Sequence, residues 1–161
     1  MAAARGAKYE VLAVRTLAQQ IEGLTLTHCG GRDDAGMDFV GRWALSASMQ
    51  VPVVGQCKNH QRVLGPGVVR EMASVVERAD AFGFLVSASG FSRQALSSAQ
   101  ATATALLLVT MDAAGGEITA LAMNDATGRL FPGLTSGSVL GKGGRRRPVL
   151  LYEEHILFGK V

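Results

Sequence analysis

At 161 residues, 48% hydrophobic and 18% charged, the chain suits one domain with a core that needs no disulfide or metal staple; it is too apolar for disorder, and no apolar run reaches bilayer-spanning length. The net charge of +3 is modest, but twelve of the sixteen cations are Arg, whose planar fork suits phosphate, a weak pointer to nucleic acid. Cys29 and Cys57 fall in or beside core strands, which reads as a reducing, intracellular setting, and the residues around Arg5, Lys8 and Glu10 lack the apolar segment of a secretory signal.

Residues from about Ala7 to Glu22 read as an amphipathic helix, with Lys8, Arg15, Gln19 and Glu22 on a polar stripe and Val14, Leu17 and Ile21 opposite. Glu10 falls on the apolar face, so its carboxylate is expected at the rim of the core, paired (an Arg is the ordinary partner) or bound to a cation. Leu24 to Cys29 alternates as a half-buried strand. The glycines and acids of Gly30 to Gly36 make a loop. Met37 to Leu45 is strand-like, with Met37, Phe39 and Trp43 on one face and Asp38, Val40 and Arg42 on the other. In the next strand, Val51 to Lys58, period two groups Val54, Gln56 and Lys58 and turns Val53, Gly55 and Cys57 away.

Pro66 opens a helix to about Ala79 whose Val68, Val69, Met72, Val75 and Val76 recur at helical spacing. Gly83 to Ser87 is a buried strand, Ser92 caps a helix through about Ala103, and Leu106 to Thr110 is a further core strand. A strand end feeding a helix N-terminus makes Ser92 a candidate phosphate contact. The order α-β-β-β-α-β-α-β predicts an α/β fold with a mixed central sheet flanked by helices. Beyond it, Ile118 to Leu130 reads as a short helix, Gly141 to Arg147 as a Gly-rich basic loop, and Val149 to Tyr152 with His155 to Phe158 as a terminal β-hairpin. One domain is expected over 1–161, with the core at about 5–111 and the extension at about 112–161.

The chemistry gathers between Asp34 and Lys58. Phosphodiester hydrolysis needs a divalent cation and a positive charge near the developing anion. Asp38 and Glu10 offer carboxylates, Gln56 a carboxamide oxygen and Cys57 its backbone carbonyl, an oxygen set that suits Mg²⁺ or Mn²⁺. Lys58 shares the Gln56 face and serves the attacking water or the transition-state charge. Asp34 supports the loop from behind. Alone, Asp34-x-Gly36-x-Asp38 is an ordinary turn and a Lys at a strand end an ordinary solvated end. His28 and Cys29 are adjacent in a strand and point apart, which argues against a shared zinc site with Cys57 and His60. Gly137 to Lys142 lacks P-loop spacing. Arg145, Arg146 and Arg147 read either as a solvated loop or as contacts to a phosphate backbone.

The Glu10 helix, Asp34-x-Gly36-x-Asp38, the Gln56-Cys57-Lys58 triplet and Val86 to Ser92 followed by an Ala-rich helix resemble the PD-(D/E)XK nuclease superfamily, and within it the Mrr-like restriction endonuclease branch, which uses Gln where most members have Asp or Glu. The resemblance implies a restriction-endonuclease-like core in which Asp38, Gln56 and Lys58 carry catalysis, Glu10 assists, and Mg²⁺ (or Mn²⁺) is the cofactor. The blocks Val51-Pro52-Val53-Val54, Leu64-Gly65-Pro66 into Val69-Arg70-Glu71, and Asn124 with Leu130-Phe131-Pro132-Gly133-Leu134 are also similar to a fungal mitochondrial family named for being required for respiratory growth. That similarity implies a mitochondrial location and leaves open a homodimer or a larger mitochondrial assembly. Two readings stand: a hydrolase cutting DNA or structured RNA, with Arg70, Ser92 or the basic loop holding the backbone, and a nuclease-fold module that binds nucleic acid without turnover. Neither involves a membrane.

Overall fold

The computed structural model describes residues 2–30 and 35–160. The chain runs α1 (Ala2–Gln20), β1 (Leu24–His28), β2 (Phe39–Ala44), β3 (Gln50–Lys58), α2 (Pro66–Ala79), β4 (Phe82–Ser87), α3 (Arg93–Ala101), β5 (Leu106–Met111), β6 (Ile118–Met123), α4 (Asp125–Leu130), β7 (Leu134–Leu140), β8 (Arg146–Tyr152) and β9 (His155–Phe158). The first six strands form one sheet in sequential order, β1 to β6, and the last three form a second. Pairing is antiparallel from β1 to β3, parallel from β3 through β5, and antiparallel again at β6. The α-β-β-β-α-β-α-β core order read from the sequence is the observed one. No helix among the described residues is long and apolar enough to cross a membrane.

Strands β4 and β5 are nearly continuous buried runs, and β3 is buried from Val53 to Cys57, as suits parallel strands with helices on both faces. On one face α1 sends Tyr9, Ala13, Leu17 and Ile21 into a core with Phe39, Trp43, Phe82 and Phe84. Trp43 meets Phe82 and Phe84 edge-on at 5.5 and 5.4 Å, so the one Trp of the chain is a packing residue. On the other face α2 and α3 bury Val69, Met72, Val75, Val76, Ala95 and Ala99 against Val54, Leu85, Leu106 and Leu108. Pro66 occupies the first turn of α2 as its fixed φ favours, and Ser92 caps α3 by accepting the Ala95 amide at 3.1 Å. Met37 packs with Val40 on the α2 side, away from the Phe39 and Trp43 face that alternation assigned it. Strand β2 begins only at Phe39, so period two does not extend back to Met37.

The stretch Ile118 to Leu130 is not one helix. Its first half is β6, paired with the otherwise free edge of β5; tertiary pairing overrides the helix propensity of its Leu, Ala and Met residues. Asn124 ends the strand and caps α4. Its buried carboxamide accepts from the Leu106 and Thr127 amides at 3.0 and 3.2 Å and from the Thr127 hydroxyl at 2.7 Å, and it donates to the carbonyls of Ala99 and Thr104 at 2.9 and 2.7 Å. The terminal hairpin is likewise one part of a larger unit, because β7 adds to it along the full length of β8. The Gly and Ser residues of β7 hide it from a propensity reading. Arg146 and Arg147 therefore start a strand instead of lying in a loop. Leu134, Leu150 and Leu157 of this second sheet join the α1-side core, and the Glu22 amide donates to the Leu157 carbonyl at 2.8 Å.

Asp112 organises the β5–β6 turn. Its carboxylate accepts the amides of Ala114, Gly115 and Glu117 at 2.9, 2.7 and 2.6 Å. The bonds to Gly115 and Glu117 do most to hold its pKa below the ordinary 3.8. With the folded pKa depressed, the stabilisation is present above 3.8 and is lost as the pH falls through the folded value. Below about pH 4 the amides of this turn are expected to lose protection from hydrogen exchange, while the β5–β6 ladder beside them keeps it.

Candidate active site

The C-terminal end of β3 and the residue before β2 meet at one end of the sheet, between interior strands. The Asp38 backbone is held on both sides: its carbonyl accepts the Cys29 amide and its amide donates to the Gly55 carbonyl, each at 2.7 Å. Its side chain then continues the ladder, Oδ2 accepting the Cys57 amide at 2.8 Å. A carboxylate thus stands where a further β2 carbonyl would lie, pinned beside the last turn of the pleat. The expected pairing of Asp38 with the Gln56-Cys57-Lys58 strand end is what the fold delivers.

Gln56 is 7% exposed. Its Nε2 donates to the Gly36 carbonyl, which fixes the amide orientation, since a flipped carboxamide would set oxygen against oxygen. Gly36 has φ 81, and a Cβ there would stand 3.1 Å from both Gln56 Nε2 and the Val75 side chain, so glycine is what lets the loop close on the amide. Gln56 Oε1 is left buried without a hydrogen-bond partner among the described residues. Such an atom costs about 1–3 kcal/mol when it stays unpaired, which a donor or a cation would relieve.

Glu10 lies on α1 at the rim of its buried face, directly after Tyr9 and one-quarter exposed, with Oε2 at 2.9 Å from His28 Nε2. The partner is thus a histidine and not the expected arginine. His28 ends β1 opposite Phe39, and no sequence spacing linked it to Glu10. Cys57 reports how the charges converge: burial pushes its thiol well up, Asp38 and then Glu10 add to the rise, and Lys58 opposes it. Asp38, Glu10 and Lys58 thus lie near enough to bear on the Cys57 thiol, which faces the α1 side of β3, whereas the Gln56 side chain faces α2. A thiol held neutral in this way is a poor metal ligand, which leaves the Cys57 carbonyl as the donor of that residue. Tyr9, next to Glu10, ties α1 to the same end of the sheet by donating its hydroxyl to the Met111 carbonyl at 2.7 Å; burial pushes its phenol pKa up.

The remaining candidates are not gathered into this site. Asp34 lies outside the described residues. Arg70 is exposed on α2, on the face of the sheet opposite α1, whereas Arg145, Arg146 and Arg147 share a cleft with the end of α1. Ser92 accepts the Ala95 amide, and the loop before it has its amides engaged: Ser89 and Gly90 donate to Ser87 Oγ, and Ser92 to the Leu64 carbonyl. What Ser92 retains is its hydroxyl proton.

A family model described as a restriction endonuclease, the Mrr catalytic domain, matches residues 1–114. The chain belongs to the Mrr restriction endonuclease family. A mitochondrial protein of Schizosaccharomyces pombe, uncharacterized by name, is 31% identical over 97 residues, covering 58% of this chain and 38% of that relative. The match thus spans well under half of the relative's length. No solved structure matches the chain. Restriction endonucleases act on nucleic acid, and the domain that the Mrr match covers contains Glu10, Asp38, Gln56 and Lys58. Family members of this fold generally work with a divalent cation, and the donors present fit one. Among the described residues no three His, Cys, Asp or Glu side chains form a metal cluster; the further oxygens at this strand end, the Gln56 amide and a backbone carbonyl, are of the hard type that Mg²⁺ accepts. The orphaned Gln56 Oε1 is the observation that favours this fit.

Proposed function

We propose that this Mrr-family chain is a metal-dependent nuclease that hydrolyses phosphodiester bonds of DNA or structured RNA. The observation that carries the reading is Gln56 Oε1, a buried oxygen with no partner among the described residues, beside a carboxylate pinned to the same strand. Asp38 would hold Mg²⁺ or Mn²⁺ together with Gln56 Oε1 and the Cys57 carbonyl, and Glu10, which reaches this strand end from the α1 side while Gln56 faces α2, would assist through water or join the cation from across the strand end. Bound there, the cation supplies charge to the scissile phosphate and acidity to a water. The chain's own contribution is positioning and charge. Asp38 is kept in place by the Cys57 amide, His28 steadies Glu10 from outside, and Lys58 presents an ammonium to the oxygens that gain negative charge as the bond breaks. Asp34 would brace the loop that carries Gly36. The mitochondrial label of the fission-yeast relative supports a role in mitochondrial nucleic-acid metabolism.

One observation favours binding without turnover: Gln56 is neutral where a carboxylate would bind the cation more tightly. A substrate panel separates the two. Purified protein with Mg²⁺ or Mn²⁺ is expected to cut at least one of duplex, single-strand, flap and tRNA-precursor substrates, and EDTA is expected to stop it. Retained binding with no cleavage on any of them would move the assignment to a binding module.

A further inference from the structure

A cleft of about 930 Å³ opens between the β5–β6 turn, the end of α1 and the start of β8. Its cations are Arg145, Arg146, Arg147 and Lys160, and its one carboxylate is Glu117. The ion pairs among the described residues are His28 with Glu10 and His155 with Glu22, so none of these four cations has a carboxylate partner there. Arg146 donates to the Ser138 hydroxyl at 3.2 Å, a neutral contact that leaves its charge uncompensated. Four like charges around one concavity repel one another and are relieved by a polyanion.

The facing wall is backbone. Gly115 and Gly116 lie in the turn that Asp112 ties down with three amide bonds. At Gly116 φ is 74, and a Cβ would stand 2.8 Å from Thr16 Oγ1, so only glycine lets the turn lie flush against α1. Phe158 is the sole aromatic lining residue, which argues for contact with phosphates and against base stacking.

We propose that this cleft grips the phosphodiester backbone of a nucleic acid at a distance from the candidate active site and without reading its sequence. Apart from Gln20, its lining comes from residues 115–160, beyond the 1–114 matched by the family domain, so the grip is an addition to that domain. The identity of the polyanion rests on the nuclease-family reading; the charge argument does not. Strands β3, β4 and β5 are parallel, which puts the turn after Met111 at the same end of the sheet as Lys58. Gln20 lies ten residues beyond Glu10 on α1, about 15 Å at 1.5 Å per residue. That span corresponds to about four or five base pairs of duplex.

The test is fluorescence anisotropy of the full chain on duplex DNA, duplex RNA and single strands of about 20–30 base pairs or nucleotides across a salt series. Removing three cations (Arg145→Gln, Arg147→Gln, Lys160→Gln) is expected to weaken binding and to flatten the slope of log affinity against log salt by about 2–3 on duplex, at about 0.9 per phosphate contact. Arg145→Lys with Arg147→Lys is expected to keep the slope, which separates charge from misfolding. An equal removal at the exposed Arg78, Arg93 and Arg129 is expected to leave it nearly unchanged. An unchanged slope in the cleft variant, or the same loss in the Arg78, Arg93 and Arg129 variant, overturns the proposal. A wild-type protein that binds through the cleft but cuts nothing supports this site while removing the nuclease reading.

Discussion

Gln56→Met is expected to make the metal-free protein more stable by about 1 kcal/mol and to lower metal-dependent cleavage by about 10²-fold or more. Methionine approximates the length of glutamine and fills the same buried space near Val75, but it removes an oxygen that has no partner among the described residues. Relieving that oxygen recovers about 1–3 kcal/mol, against about 1 kcal/mol for the lost bond to the Gly36 carbonyl; Gly36 is exposed, so its carbonyl returns to water. The order of stabilities then reverses with Mg²⁺. A cation bound only by the wild-type protein at a hundredfold excess over its dissociation constant adds about 2.7 kcal/mol, and the variant forfeits most of it. Thermal melts with and without Mg²⁺ read both signs in one experiment; equal Mg²⁺ shifts for the two proteins would remove Gln56 from the metal set. Asp38→Asn completes the comparison. Its amide oxygen can still accept the Cys57 N–H, so the fold should hold while the charge is lost and cleavage falls about 10²–10³-fold. Asp38→Ala would confuse the two effects by orphaning that amide.

Asn124→Ala is expected to cost about 3–5 kcal/mol, a large share of the 5–15 kcal/mol that holds a typical domain together. The carboxamide serves five partners at once, and nearly all are buried. Truncation leaves the Leu106 amide and the Ala99 and Thr104 carbonyls without partners, each costing about 1–3 kcal/mol before relaxation, and removes the N-cap of α4, worth about 1 kcal/mol. For a chain of this length the melting temperature should fall by about 10 °C. Asn124→Asp is expected to be as damaging, though it keeps the acceptor half, because a carboxylate oxygen would then face two carbonyls. Urea unfolding of the two variants distinguishes loss of the donors from loss of the cap. Neither variant touches the Asp38 and Gln56 end of the sheet, so cleavage by the folded fraction should be unchanged.

Much of the core was legible because its signals are local. Pro66 at a first helical turn and apolar residues at helical spacing bounded α2 at the residues observed; Ser92 marked the start of α3; period two in Val51 to Lys58 separated the Gln56 and Lys58 face from that of Cys57. The Glu10 wheel position also carried over, since an acid on an apolar face demands a partner. Those inferences depend on dihedral preferences and on neighbours within about four residues, and the residues alone therefore determined the mixed sheet, its flanking helices and the acid–amide–lysine strand end. What the tertiary structure decided are pairings over long separations. Ile118 to Met123 became a strand because the edge of β5 was free, β7 formed because β8 offered a full-length partner, and Glu10 met His28 rather than an arginine because the end of β1 runs beside α1. The same holds for the basic residues. Arg70 and Arg145 to Arg147 look like one phosphate-binding set in sequence, yet the sheet puts them on opposite faces, and the cleft that gathers Lys160 with the arginines exists only because the second sheet packs against the end of α1.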